Sequence, residues 1–452
     1  MKTRGLFSPA GFLLAIAGLG GLLYGVDFGV IAAAEPYLMA LGIYSGARVS
    51  LVVGAVMLGG LVSSLTAGVL CDWLGRKKMI VISAAMFLVA IPVVCLALDS
   101  FLVLFAGRVL QGMSAGYMAV VMPMYLTETL PPAIRGRGTG VFQFFLGLGL
   151  VVAAGAGCVV ASVYGAADAA GQDALAKAAA WRANFWWTML PVAVLFLGSL
   201  KLPESPVWLS RDSRLVARDS HDATDHGPRT TLLQRRYVVP FLLAVLVLTF
   251  NKTTGMSSFT SYLVSILHKA GFDGIFANWG QFAVKLTNML VTIVAATLID
   301  RKGRTWLLKV GTGGMTLGLA AIGCVFLSIE RFGVQANNFT GLLTLFAFFF
   351  MQVFYALGPG ICVWLVLSEL MPTRIRANGM AIALFMNQLV AWGLASWFRP
   401  WVAACGWSSM FFFFAANGVL YFITTLFIPE TKGKTLDDLE HLFEVKVKES
   451  KG

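Results

Sequence analysis

The chain has 452 residues, of which 58% are hydrophobic and only 12% charged, and its formal net charge is +12. A soluble protein carries roughly 25% charged residues. At 12% there is too little charge to cover two or three water-soluble domains, which excludes that class.

Apolar runs of about twenty residues, the length that crosses a ~30 Å hydrocarbon core as a helix, recur along the chain. They lie near 11–33, 50–71, 79–98, 101–126, 138–163, 183–201, 237–266, 275–299, 306–328, 340–367, 378–402 and 408–428. Helices are the physical choice, because lipid offers no partner to a free backbone N–H or C=O. Barrel strands would alternate polar and apolar residues, and LLTLFAFFFMQVF does not. The expected fold is an all-α membrane protein of twelve transmembrane helices. The first run follows Lys2 and Arg4, but it is too long for a signal peptide, carries Asp27 and leads into further spans, so it reads as a retained first helix.

The basic residues sort by loop. With the N-terminus placed in the cytoplasm, most of the 34 Lys and Arg fall on that side, including Arg76, Lys77, Lys78, Arg301, Lys302 and Arg304. The other side receives Arg48, Lys177, Arg182, Lys269, Arg331 and Arg399. This positive-inside pattern puts both termini in the cytoplasm, and it attributes the basic balance to topology, which argues against a nucleic-acid partner. The six cysteines lie in or beside spans without paired spacing, so neither a disulfide framework nor a metal site is expected.

A polar stretch at 204–236 divides six spans from six. It reads as a solvated cytoplasmic linker or a short helical lid. The expected organisation is an N-terminal six-helix half (1–203), the linker (204–236), a C-terminal six-helix half (237–430) and a cytoplasmic tail (431–452). The halves echo one another. CDWLGRKK at 71–78 returns as IDRKGRTW at 299–306, ETLPPAIR as ELMPTRIR, and PESP at 203–206 as PETKG at 429–433. Duplicated halves around a midplane site are how many transporters alternate access, a need that a channel or membrane enzyme does not share. The four His (221, 226, 268 and 441) sit in loops or the tail without metal or HExxH spacing, and no G-x4-G-K-[ST] loop supplies ATP. No cofactor is implied.

In these loops Asp72 and Asp300 follow helix ends, and Gly75 and Gly303 permit a tight turn before the basic clusters around Arg76 and Arg304. Carboxylate–guanidinium pairs drawn from Glu128, Arg135, Glu369, Arg376 and the Arg76 cluster can latch two halves on one side. Retention of positive charge as a topology signal is the plainer alternative. Within the spans, ionisable residues are costly and default to a functional reading. Asp27, Arg108, Lys252 and Lys285 stand out. Asp27 lies about sixteen residues into the first span, ~24 Å along the helix, where an isolated carboxylate takes up a proton. Arg108 can hold it ionised until then, or the two form a static buried salt bridge.

The ordered set D-x-x-G-R-K-K with its second copy, E-x6-R twice, PESPVWL and PETKG resembles the sugar porter family of the major facilitator superfamily, over essentially the whole chain. That resemblance implies alternating access between two six-helix halves, with cytoplasmic pairs holding the outward-open state. It implies that Asp27 and Arg108 form a proton-coupling pair, and that a monosaccharide or sugar-like solute and a proton are carried together. An uncoupled sugar facilitator is the alternative. Matched position by position, the solute residues it implies are Gln143, Asn251, Lys252, Ser257, Ser258, Tyr262, Asn288, Trp364 and Asn387, with Tyr24 beside Asp27 in GLLYGVD. Amides and an indole suit sugar hydroxyls and apolar ring faces, although any one Asn or Gln can equally join two helices. The chain departs from the family where Lys252 replaces a glutamine and Ser257 an asparagine, and Lys285 lies one turn before Asn288. These ammonium groups raise an anionic solute, a sugar acid or hydroxy acid, as the alternative to a neutral sugar. A monomer in a plasma (inner) membrane is expected.

Overall fold

The structure, a computed structural model, describes residues 9–97, 99–131, 135–169, 173–210, 235–370 and 376–430. Among these residues the regular structure is entirely helical, with no strand. In chain order the first half contains α1 (Pro9–Ala40), α2 (Gly46–Leu74), α3 (Arg76–Cys95), α4 (Phe101–Thr129), α5 (Arg135–Tyr164), α6 (Ala174–Trp186) and α7 (Met189–Leu200). The second contains α8 (Arg235–Thr253), α9 (Met256–Lys269), α10 (Gly274–Lys302), α11 (Arg304–Arg331), α12 (Asn338–Leu357), α13 (Pro359–Leu370), α14 (Arg376–Cys405) and α15 (Trp407–Leu426).

Three pairs join end to end into single spans: α6 with α7, α8 with α9, and α12 with α13. Among the described residues eleven spans are long and apolar enough to cross a membrane. The twelfth is α14, a 30-residue helix in the place of the eleventh predicted run. Asn387, Gln388 and Arg399 dilute its apolar character. Residues 211–234, most of the expected linker, and 431–452, the expected tail, lie outside the described residues.

The duplication seen in the motifs reappears in the packing. In the first half α1 packs on α5, α2 on α4, and α3 on both α4 and α7. In the second half α8 packs on α14, α10 on α12, and α11 on both α12 and α15. These are the same partnerships shifted by six spans. Between the halves α2 meets α14 and α5 meets α10, again a symmetric exchange, while α1 meets α9. Two matched bundles joined along such an interface form the major facilitator fold.

Close approach of the helices comes from small residues, as it must where lipid removes the hydrophobic drive between helices. Gly21, Gly25 and Gly29 repeat at every fourth position of α1, and a Cβ at Gly25 would lie 2.0 Å from the Leu146 carbonyl oxygen of α5. The partner face of α5 is equally bare, since a Cβ at Gly149 would lie 2.1 Å from the Leu22 carbonyl oxygen. Neither backbone can yield. Gly25→Ala is therefore expected to destabilise the first half by about 1–3 kcal/mol, the usual cost of overpacking. A lowered unfolding temperature in detergent, without lost secondary structure, is the readout.

The repeated D-x-x-G-R motif has a local physical reason. Gly75 and Gly303 both sit at positive φ, +92° and +89°, a region that L side chains avoid. Each starts a helix whose free N–H groups receive a glutamate from the end of its own half. Glu204 of PESP accepts from the Arg76 and Lys77 amides at 2.9 and 3.0 Å. Glu430 of PETKG accepts from the Arg304 and Thr305 amides at 3.1 and 3.2 Å. The carboxylate satisfies orphan donors and meets the positive end of the helix dipole.

Candidate functional site

The deepest charged group is Asp27 on α1, fully buried and joined to the equally buried Arg108 of α4. The guanidinium Nη1 donates to Asp27 Oδ1 at 3.2 Å and to Gln111 Oε1 at 2.9 Å. Its carbon stands 5.3 Å from the centre of the Phe185 ring. Gln111 and Phe185 were not singled out from the sequence; Gln111 lies one turn after Arg108 in GRVLQG, the spacing that puts both on one helix face. Asp27 Oδ2 is buried and has no hydrogen-bond partner. The pair thus leaves one carboxylate oxygen open to a proton, with a cation fixed on the other. Tyr24 stands one turn earlier on α1, partly buried, its ring 5.1 Å from that of Phe28.

The second half presents two broken helices. Gly255, at φ +81°, separates α8 from α9, and a Cβ there would collide with the Phe414 ring at 2.7 Å. Gly358 separates α12 from α13, which starts at Pro359. Three of the amides matched to the solute make protein contacts around these breaks. Asn251 donates to the Pro359 carbonyl at 3.3 Å, tying one break to the other. Asn387 donates to the Leu248 carbonyl at 3.0 Å. Asn288 Oδ1 accepts from Gln352 at 2.7 Å, which leaves the Asn288 amide nitrogen for other partners. Gln143 is exposed, and Trp364 on α13 is 47% exposed. Ser258 is buried, its hydroxyl without a partner.

Both lysines touch α9. Lys252 Nζ donates to Ser257 Oγ at 3.1 Å, and Lys285 Nζ of α10 donates to Thr260 Oγ1 at 3.1 Å. Tyr262 takes a different place from the rest. It is fully buried, hydrogen-bonded at 3.0 Å to Ser50 of α2 and at 3.0 Å to the Ala395 carbonyl of α14, and stacked on Phe398 with ring centres 4.3 Å apart.

Tyr262 belongs to a seal between the halves, on the face opposite the basic loops. There Glu35 of α1, fully buried, is ion-paired with Arg399 of α14, and Ser265 of α9 hydrogen-bonds to both. Nearby, His268 Nε2 lies 2.7 Å from Asp168 Oδ2 across the same interface. A pocket of about 330 Å³ on this face is lined by Tyr37, Asp168, Ser265, His268 and Arg399 among others.

On the basic-loop face Arg76 grips Glu128 with Nε at 3.0 Å and Nη2 at 3.1 Å, and reaches Asp72 at 3.3 Å. Ser205 also hydrogen-bonds to Glu128. Arg76, Asp72 and Glu128 belong to the first half and Ser205 to the segment that directly follows it, so this cluster closes that half on itself. The side chains of Arg135, Asp300, Glu369 and Arg376, expected to contribute, lie outside the described residues. Arg304 starts α11 as the second-half counterpart of Arg76. Among the described residues the halves are therefore joined by side-chain bonds on the face opposite the basic loops, whereas the described basic-face pairs stay within a half.

A duplicated helical bundle with a buried acid–base pair, broken helices and a seal between the halves defines a secondary transporter of the membrane. The model of the family described as "Sugar (and other) transporter" matches residues 13–443. The chain belongs to that family. It is 27% identical to the arabinose–proton symporter of Bacillus subtilis (strain 168), across 96% of this chain and 95% of the relative. It is also 27% identical to the galactose–proton symporter of Escherichia coli (strain K12), across 95% and 93%. The inward-open conformation of the xylose transporter from E. coli superposes with a TM-score of 0.77 at 22% identity, covering 95% of this chain and 98% of that one. That likeness establishes the fold.

Proposed function

We propose that the chain is a proton-coupled symporter of a monosaccharide or sugar-like solute, working by alternating access in a plasma membrane with both termini in the cytoplasm. The observation that carries the coupling is the Asp27–Arg108 pair with Oδ2 left unpartnered. Ionised Asp27 holds Arg108 by a charge-assisted bond; a proton on Oδ2 weakens that bond, which is about twice as strong as a neutral one. Arg108 keeps Gln111 as an acceptor throughout. Protonation thus changes what α1 and α4 offer each other, and a proton is a coupling ligand only if it favours one state over another. Relatives named as arabinose– and galactose–proton symporters support this reading.

With the basic loops in the cytoplasm, the seal at Glu35, Arg399 and Tyr262 supports a state closed to the outside. Solute is held between the halves, by the second-half residues Asn288 and Trp364 together with Gln143 of α5. The working unit is one chain, since both matched halves are present in it. The direct test is uptake into proteoliposomes of a panel of neutral sugars and sugar acids, with and without an inward pH gradient. Accumulation that needs the gradient and collapses with a protonophore is the expected result; accumulation unaffected by either would overturn the coupling. Trp364→Ala is expected to weaken binding of the accumulated solute by about 1–3 kcal/mol, the loss of a stacking face and its N–H. A dissociation constant measured by titration checks it, and an unchanged value would place the solute elsewhere.

A further inference from the structure

Among the described residues, charge inside the membrane does not balance. The two buried acids are both committed, Asp27 to Arg108 and Glu35 to Arg399. Lys252 and Lys285 are left over. Among the described residues neither ammonium has a carboxylate within ion-pair reach. Each is held by a single hydroxyl, Ser257 for one and Thr260 for the other. Those hydroxyls stand three residues apart on α9, hence side by side on one helix face, so both positive groups are docked on the same short stretch. An ammonium has three donors, and each of these is seen to use one. Gln281 lies one turn before Lys285 on α10, fully buried, with its amide nitrogen and oxygen both unpartnered. Asn288 lies on the following turn, its amide nitrogen not engaged by Gln352. Lys285 is buried and Lys252 half-buried; withdrawing cations from water without a counter-charge is costly, and the cost is offset when an anion arrives with matching acceptors.

We infer that the solute is an anion of the sugar-acid class, a polyol carrying a carboxylate. The carboxylate is received by Lys252 and Lys285, and hydroxyls by Gln281 and Asn288. This rests on the transport reading above and names the substrate class of that site. The glutamine-to-lysine departure at 252 then has a purpose, since a neutral sugar brings nothing to compensate an ammonium.

The test is binding to the purified full chain of D-galacturonate and D-gluconate against D-galactose and D-glucose, followed by the same measurements on Lys252→Gln and Lys285→Gln. Folding of each variant is checked by its unfolding temperature. At least one acid should bind the native protein at least about tenfold more tightly than its neutral partner, because charge-assisted contacts exceed neutral ones. Each glutamine variant should lose about tenfold or more on the acid, and Lys252→Arg should retain more of that affinity than Lys252→Gln. Neutral sugars bound and accumulated on a pH gradient, with neither acid bound, would overturn the anion and leave sugar–proton symport standing. Acid binding unchanged in both glutamine variants would overturn the role of the lysines. No binding of any of the four by a folded protein would overturn this inference and the transport reading of the site together.

Discussion

Asp27→Asn is expected to abolish accumulation of solute against its gradient while sparing exchange of solute for solute across the membrane. Asparagine keeps the size of the carboxylic acid and mimics its neutral form, but it cannot release a proton. Arg108 would retain Gln111 and the Phe185 ring face, so the helix packing around the pair has reason to survive. The driving force at stake is large. A pH step of one unit is worth about 1.4 kcal/mol per proton, or tenfold accumulation at one proton per solute. With a two-unit gradient the native protein should therefore concentrate solute up to about a hundredfold, and the variant should only equalise it. Counterflow in preloaded proteoliposomes reports whether the solute site still cycles. Uphill accumulation persisting at the native level in Asp27→Asn would remove Asp27 from the coupling step. The outcome does not depend on whether the solute is a sugar or a sugar acid.

The spans were legible because lipid imposes one rule on every residue within it, and twenty-residue apolar runs satisfy that rule only as helices. Their ends were less legible. The sixth span was expected from residue 183, yet helix α6 begins at Ala174. Lys177 and Arg182 mark that stretch as loop by charge, but Arg182 donates to the Cys95 carbonyl at 2.9 Å and lies over the Trp181 ring, so its charge is accommodated within the helix. Asp27 and Arg108 were conspicuous as lone ionisable residues, and the structure brings them together. Glu35 was overlooked for a local reason. The apolar run ends near residue 33, and Pro36 normally ends a helix, whereas α1 runs through Pro36 to Ala40. Membrane helices tolerate such prolines because neighbours satisfy the freed carbonyls. A buried acid two residues past an assumed span end, with a lone Arg near the end of another span, is the signal that was available. The amides show a different limit. Asn251 and Asn387 carry the chemistry of a sugar site, but hydrogen bonds to backbone at the helix breaks draw on the same chemistry, and composition cannot separate the two.

Glu35→Gln is expected to move the protein toward the state open on the face opposite the basic loops. The pair with Arg399 bridges α1 and α14, and Ser265 of α9 joins it, so the contact exists only while the halves meet on that face. Glu35 is fully buried and the Arg399 side chain is 18% exposed. Breaking a buried pair by removing one partner costs about 3–5 kcal/mol, because the remaining charge is stranded. In the opposite state the halves part and water reaches Arg399, so the stranded charge is relieved there. The cost therefore falls on one state of the equilibrium. At 1.4 kcal/mol per factor of ten, even about 3 kcal/mol shifts the populations roughly a hundredfold. Spin labels on Ile43→Cys and Phe332→Cys, exposed positions on that face of the two halves, would report it in a background lacking the exposed Cys324 and Cys405. The short-distance population should shrink in favour of a longer one, and the initial rate of uptake should fall as the return through the state closed on that face slows. Replacing Arg399 as well, with Glu35→Gln and Arg399→Gln together, removes the stranded charge and should restore much of the short-distance population, the non-additivity expected of a coupled pair. A distance distribution unchanged by Glu35→Gln would show that the stacked Tyr262 and Phe398, with the Ser50 and Ala395 hydrogen bonds, hold that face without the ion pair.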